Sequence, residues 1–118
     1  MKRVAWLAQQ RGRKAVLYVI RVYNKQGEAF YKVGITFCFS SRFSRLKTAY
    51  RFRTLARYSS YHAGAVYDLE QRLHREFAGL SYIPTASFSG FTECYCDATP
   101  ILAALPPGTF FLKGGVDI

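Results

Sequence analysis

Residues 15–36 read AVLYVIRVYNKQGEAFYKVGIT, and this stretch decides the fold. Its first part, 15–23, is β-branched and aromatic and predicts a strand. The polar, glycine-containing segment 24–28 predicts a turn, and 29–36 predicts a second strand. The two strands are therefore expected to form an antiparallel hairpin.

The second strand carries Lys32 two residues before Gly34, so both lie on the same face. If Tyr23 pairs with Ala29 across the turn, Tyr18 lies directly opposite Gly34. A phenol, an ammonium and a glycine then share one patch, and the glycine leaves room for a close approach to the backbone.

The rest of the chain predicts smaller elements. In order, they are a helix that follows Ser40 and Ser41 and carries Phe43, Leu46 and Tyr50, a third strand at 54–62, a long helix at 63–78, a short strand at 92–96 and a short helix at 98–105. The order β-β-α-β-α predicts an α+β fold with a small three-stranded antiparallel sheet flanked by helices. We expect one domain at 15–96, a basic N-terminal segment at 1–14, and a C-terminal extension at 97–118 packed on the same domain.

The charge of the chain suggests a polyanionic partner. Its 118 residues include 17 Lys and Arg against 7 Asp and Glu, for a net charge of +10. Nucleic acid is the first candidate and an acidic membrane surface the second. No acidic residue occurs from Ala29 to Tyr67, whereas seven basic ones do, which predicts a surface that follows phosphates: Lys32, Arg42, Arg45, Lys47, Arg51, Arg53 and Arg57.

Other classes are disfavoured. The N-terminus has no apolar run typical of a signal peptide, and no stretch of ~18 apolar residues could span a membrane. The three cysteines, Cys38, Cys94 and Cys96, have no zinc-like spacing, which indicates reduced thiols. We therefore expect a cytoplasmic protein without membrane contact.

Glu70 interrupts the pattern of the long helix. At about 100° per residue it lies ~40° from Val66, on the border of the apolar stripe. A carboxylate there needs a cation, a hydrogen bond or a metal. The plainer alternatives are that Glu70 reaches solvent or pairs with Arg42 or Lys32.

These residues, in this order, resemble the GIY-YIG nuclease superfamily. The matching motifs are VLY at 16–18, KVG at 32–34, Arg42 eight residues beyond Gly34, Glu70 in DLEQRLHREF, and GFTECY at 90–95. Two positions depart from the family pattern. Val16 and Leu17 replace Gly-Ile, and Lys32 replaces the tyrosine of the second motif.

The resemblance implies an endonuclease that hydrolyses phosphodiester bonds, with DNA favoured over RNA, and of phage or mobile-element type. Glu70 would hold Mg²⁺ (or Mn²⁺), Tyr18 would take a proton from water, Lys32 would face the scissile phosphate, and Arg42 would bind the phosphate as a planar fork.

Two further residues and two rival functions complete the prediction. His74 and Glu93 are possible accessory groups, although each could instead be structural. A dimer or a protein partner could supply sequence preference. The rivals are a catalytically inactive nucleic-acid-binding module on the same scaffold and a regulatory protein that contacts a partner through its basic face.

Overall fold

The computed structural model describes residues 2–39, 50–85 and 93–117, the last five of them as backbone only. Within these ranges the elements are, in chain order, α1 (Arg3–Ala8), β1 (Ala15–Tyr23), β2 (Ala29–Thr36), β3 (Arg51–Ser60), α2 (Ala63–Glu76), a 3₁₀ turn (Ala78–Leu80), β4 (Cys94–Tyr95), α3 (Thr99–Ala103) and β5 (Phe110–Asp117). The strands form an antiparallel sheet in the order β4-β2-β1-β3-β5. The fold is therefore α+β.

The β1–β2 hairpin forms in the predicted register. Tyr23 pairs with Ala29, and Tyr18 pairs with Gly34. In the turn, the Asn24 side chain accepts hydrogen bonds from the backbone N–H groups of Gln26 and Glu28. Gly27 has a φ of 89°, a conformation that favours glycine.

The prediction of three strands was wrong, since five are present in the described residues. The third strand begins at Arg51 rather than 54, and the short strand predicted at 92–96 is reduced to Cys94–Tyr95. The missed strand is β5, which pairs with β3 along the other edge. Its sequence, FFLKGGVD, contains two glycines that obscure the alternation of a half-buried strand.

The helix α1 was also missed, because six residues without a capping side chain carry little local signal. Tertiary contacts hold it instead. The indole Nε1 of Trp6 donates to the Ala63 carbonyl over 2.9 Å, and its ring stacks on Phe37 with centroids 3.9 Å apart. No helix in the described ranges is long and apolar enough to cross a bilayer.

Hydrophobic groups cover both faces of the sheet. On one face, Leu17, Val19 and Val33 pack with Val66 and Leu73 of α2. The other face is formed mainly by large side chains of the three central strands, including Tyr18, Ile20, Val22, Phe30 and Phe52. The central strand β1 is consequently buried on both sides, which explains its nearly continuous apolar sequence.

The helix predicted after Ser40 lies outside the described residues, except for its last member. Tyr50 is not helical but directly precedes β3, where it is buried and donates a hydrogen bond to Glu28 over 2.8 Å. Glu28 also accepts hydrogen bonds from the Tyr82 hydroxyl and from Thr85, whose backbone N–H lies 3.0 Å away. This carboxylate therefore ties the segment after α2 to the end of the hairpin.

The same contacts set the charge state of Glu28. Burial acts to raise its pKa, but the hydrogen bonds from the Thr85 side chain, Tyr82, the Thr85 backbone and Tyr50 together lower it from 4.5 to about 2. Conversely, the pKa of Tyr82 is raised to about 12, mainly by its hydrogen bond to Glu28 and to a smaller extent by burial. The anchor is an ionised carboxylate held by neutral hydroxyls.

Candidate active site

The patch predicted on the hairpin is present. Lys32 Nζ donates to the Tyr18 hydroxyl oxygen over 2.8 Å, and both side chains are fully buried. Gly34 makes room for this contact. A Cβ atom at position 34 would lie 2.6 Å from Tyr18 Cζ and 2.9 Å from Lys32 Nζ, both too close for real atoms.

Glu93 is the acidic partner of Lys32. Its Oε2 lies 3.3 Å from Lys32 Nζ, and its side chain is 29% exposed whereas that of Lys32 is 0% exposed. Glu93 directly precedes β4, which pairs with β2 through Cys94 opposite Lys32. The lysine is thus neutralised by an acid from a segment 61 residues away in sequence, and it does not reach solvent in this conformation.

The helix α2 contributes Glu70 and His74, which are four residues apart and therefore on the same side of the helix. Ligand atoms of Glu70, His74 and Glu93 all lie within 4.8 Å of one another. Glu70 is only 4% exposed, and it accepts a long hydrogen bond of 3.4 Å from Gln71 Nε2. The ion pair of Lys32 is formed with Glu93 rather than with Glu70.

Burial controls the protonation of this cluster. Burial, followed by the charge of Glu93, raises the pKa of Glu70 to about 8, although Lys32 and the bond from Gln71 oppose the shift. Glu70 is therefore largely uncharged near neutral pH unless a further positive charge lies beside it.

His74 is shifted in the complementary direction. Burial lowers its pKa, against the opposing effects of Glu93 and of a hydrogen bond to the Val33 backbone. Its Nε2 is buried and has no hydrogen-bond partner. A neutral imidazole with a free nitrogen beside two carboxylates is a donor set that fits a divalent cation.

The short strand β4 forms a wall of the cluster. The Tyr95 ring stacks against His74 with centroids 6.1 Å apart. Burial raises the pKa of Tyr95, and it raises the pKa of the Cys94 thiol to about 12. Neither group is suited to give up a proton near neutral pH, so both are packing residues of the site.

The predicted basic surface is only partly within the described residues. Arg42, Arg45 and Lys47 lie outside them, and their roles stay predictions. Of the three arginines on β3, Arg51 and Arg57 are exposed and Arg53 is half-buried.

Arg57 lies beside the hairpin patch formed by Tyr18, Lys32 and Gly34. It pairs with Tyr18 across the sheet, and Tyr18 in turn pairs with Gly34, so the three residues form a row on one face. The guanidinium of Arg57 lies over the ring of Phe39, 4.7 Å from its centroid, and Phe39 packs edge-on against Tyr18. On the other side Arg57 pairs with Phe110 of β5, whose side chain is 61% exposed.

The sequence indicated most of this site but not its connections. The pairing of Glu93 with Lys32 depends on β4, which is only two residues long and gives almost no periodic signal. Phe39 and Phe110 were missed because aromatic residues outside regular patterns are usually core residues. The sequence signal for Arg57 was the mixture of basic and aromatic residues along β3.

The fold is a small α+β domain in which the hairpin, the long helix and β4 bring Tyr18, Lys32, Glu70, His74 and Glu93 together. The chain belongs to the T5orf172 domain family, whose model matches residues 15–93. That family is a phage-associated domain related to GIY-YIG and HNH-like nuclease folds. No significant match was found among curated proteins or solved structures.

Proposed function

We propose that this protein is a divalent-metal-dependent endonuclease of the GIY-YIG type that hydrolyses phosphodiester bonds in DNA. The observation that carries the proposal is the joining of two groups of residues by one ion pair. The bond between Lys32 and Glu93 links the Tyr18 hydroxyl to the carboxylate of Glu70 and the imidazole of His74. This arrangement supports a proton acceptor beside a cation site, the combination that hydrolysis of a phosphodiester requires.

Each side chain would have a defined task. Tyr18, as its phenolate, would accept a proton from the attacking water, and the ammonium of Lys32 would offset the negative charge on the same oxygen. Glu70 would hold Mg²⁺ or Mn²⁺, which when bound supplies Lewis-acid stabilisation of the phosphate charge. Arg42 would bind the phosphate bidentately, as the resemblance to the GIY-YIG pattern implies.

Access to the site requires local movement. Tyr18 and Lys32 are both 0% exposed, and Phe39 packs against the Tyr18 ring. A phosphate can therefore reach the Tyr18 oxygen only if side chains packed around Tyr18 move. Arg57, exposed and stacked over Phe39, would bind an approaching phosphate at that position.

The proposed substrate follows from charge. The excess of basic residues supports a polyanionic substrate. We favour DNA over RNA because the family is of phage type. Contacts to phosphates give weak sequence preference, so a second copy or a protein partner would supply specificity. Such a substrate would place the activity inside the cell, in the cytoplasm.

Incubation with supercoiled plasmid, with and without Mg²⁺ or Mn²⁺, tests the proposal. Wild-type protein should nick the plasmid only with the metal. Glu70→Gln should bind DNA and remain folded but fail to cut, because an amide holds a hard cation far less well than a carboxylate. Its stability should be unchanged or slightly raised, since the cost of burying a charge disappears.

The same variant also tests whether Glu70 has only a structural role. If its carboxylate only balances buried cations, Glu70→Gln should lose about 1–3 kcal/mol of unfolding free energy and still cut at the wild-type rate. That result would end the catalytic assignment.

A second comparison uses Arg42→Ala and Arg45→Ala in single-turnover cleavage. The cleavage rate should fall more for Arg42→Ala, and equal losses would indicate that both arginines only bind phosphates.

The burial of Tyr18 and Lys32 favours one alternative function, a nucleic-acid-binding module without catalytic activity. If Tyr18 and Lys32 never become accessible, they act as a polar core, and the protein is a nucleic-acid-binding module without activity. Plasmid binding without nicking, at any divalent metal tested, would establish this alternative.

A further inference from the structure

A cluster of three metal-ligand side chains lies beside the tyrosine–lysine pair, and it is richer than a single carboxylate site. Glu70 and Glu93 supply oxygen and His74 supplies nitrogen, with ligand atoms within 4.8 Å of one another. Two atoms bound to one ion at ~2.1 Å are at most ~4.2 Å apart, so small side-chain rotations suffice to bring all three to one ion.

His74 is prepared for such a role. Its Nε2 is buried without a hydrogen-bond partner, which is costly for a polar atom unless a ligand satisfies it. The Val33 backbone hydrogen-bonds to the ring, and Tyr95 stacks on it. Metal-binding histidines commonly have one ring nitrogen fixed by a backbone group in this way.

Glu93 is fixed by the lysine. Lys32 Nζ bonds to its Oε2, and a carboxylate has a second oxygen that can bind an ion. Carboxylates that bind a metal are commonly held by a hydrogen bond to a neighbouring group in this way. Lys32 would therefore orient a ligand as well as the phenol of Tyr18.

We propose that Glu70, His74 and Glu93 form one three-ligand site that selects a first-row transition-metal ion, of the Mn²⁺ to Zn²⁺ series, over Mg²⁺. The reason is the imidazole nitrogen, because Mg²⁺ prefers oxygen ligands and water whereas transition metals bind nitrogen well. The inference rests on the proposed function in that the same ion would serve phosphodiester hydrolysis.

Calorimetric titration with Mn²⁺ and with Mg²⁺ tests the selectivity. Wild-type protein should bind Mn²⁺ at least about tenfold more tightly than Mg²⁺. His74→Gln should lose about tenfold or more in Mn²⁺ affinity while Mg²⁺ affinity changes little. His62→Gln is the matched control, since His62 is exposed at the start of α2, and it should leave both affinities unchanged.

A second measurement avoids dependence on a variant that could misfold. The chain has 2 histidines, so a histidine-labelled wild-type protein gives two sets of ring resonances. Substoichiometric Mn²⁺ should broaden the His74 signals and leave those of His62 sharp. Equal affinity for the two ions, an unchanged Mn²⁺ affinity in His74→Gln, or His74 signals that stay sharp would each overturn the proposal.

Failure of this proposal is distinguishable from failure of the nuclease assignment. Selective Mn²⁺ binding through His74 without any plasmid nicking keeps the metal site and removes the nuclease function. Mg²⁺-dependent nicking with Mn²⁺ binding that ignores His74 keeps the nuclease and removes the three-ligand site.

Discussion

Replacing Gly34 by alanine tests the arrangement of the hairpin patch most directly. The added Cβ would lie 2.6 Å from Tyr18 Cζ and 2.9 Å from Lys32 Nζ, with the hydroxyl oxygen closer still. The Tyr18 ring is fully buried and cannot simply rotate away. The substitution must therefore push apart the two side chains that share the 2.8 Å hydrogen bond.

The expected cost combines two effects. Inserting a methyl group into a packed site costs about 1–3 kcal/mol, and weakening a buried hydrogen bond to a charged donor adds to this, so we expect about 2–4 kcal/mol in total. For a chain of 118 residues, each kcal/mol lowers the melting temperature by roughly 4 °C. Gly34→Ala should therefore melt about 8–16 °C below wild type.

Gly79→Ala is the matched control, because a Cβ at position 79 would have no heavy atom within 4 Å. That variant should be neutral or more stable by up to about 1 kcal/mol, since it restricts only the unfolded chain. Urea denaturation of both variants gives the comparison. A Gly34→Ala protein within about 0.5 kcal/mol of the Gly79→Ala protein would refute the reasoning, because the patch would then not be packed as described.

Four further predictions concern charge. Glu28→Gln should lower the unfolding free energy by about 1–3 kcal/mol through loss of acceptors, whereas Glu76→Gln, which breaks only an exposed ion pair with Arg72, should cost under about 0.5 kcal/mol. Because the folded pKa of Glu28 lies at about 2, below its ordinary 4.5, its stabilisation is complete above pH ~4.5 and is lost as pH falls through ~2. After discounting for partial exposure we expect about 1–2 kcal/mol, so the stability difference between wild type and Glu28→Gln should shrink on acidification, and a difference that stays constant from pH ~5 to pH ~2 would contradict this. Arg57→Ala should reduce DNA cleavage more than Arg51→Ala does, since only Arg57 pairs with Tyr18; equal single-turnover rates for the two would show that position in the sheet is irrelevant. DNA binding should weaken steeply with salt, by about 0.9 in log-log slope per contacted phosphate, and an affinity unchanged between low and moderate salt would exclude a phosphate-tracking surface.

The hairpin and the long helix were predictable because their signals are local. The β-branched and aromatic composition of β1 and β2 and the glycine-containing turn indicated the hairpin. The pairing of Tyr23 with Ala29, which was assumed and which the structure confirms, placed Tyr18 opposite Gly34. The stripe of α2 identified Glu70 as an acid at the edge of the core, and the structure finds it buried.

The remainder depends on contacts between distant segments. Glu93 reaches Lys32 across 61 residues of sequence through a two-residue strand. The helix α1 is held by Trp6 rather than by capping, and β5 carries glycines that hide its alternation. Such features are selected by packing, which single-sequence patterns do not record.

The crowding at Gly34 also constrains how copies of this gene can change. A larger residue at position 34 is destabilising for as long as the Tyr18 ring and the Lys32 ammonium occupy the adjoining space. The tolerable order of substitutions is therefore fixed: the tyrosine must shrink first, and the glycine can be replaced only afterwards. In a related chain, we therefore expect an alanine or serine at position 34 only together with a smaller residue at position 18, so the two positions should change as a pair.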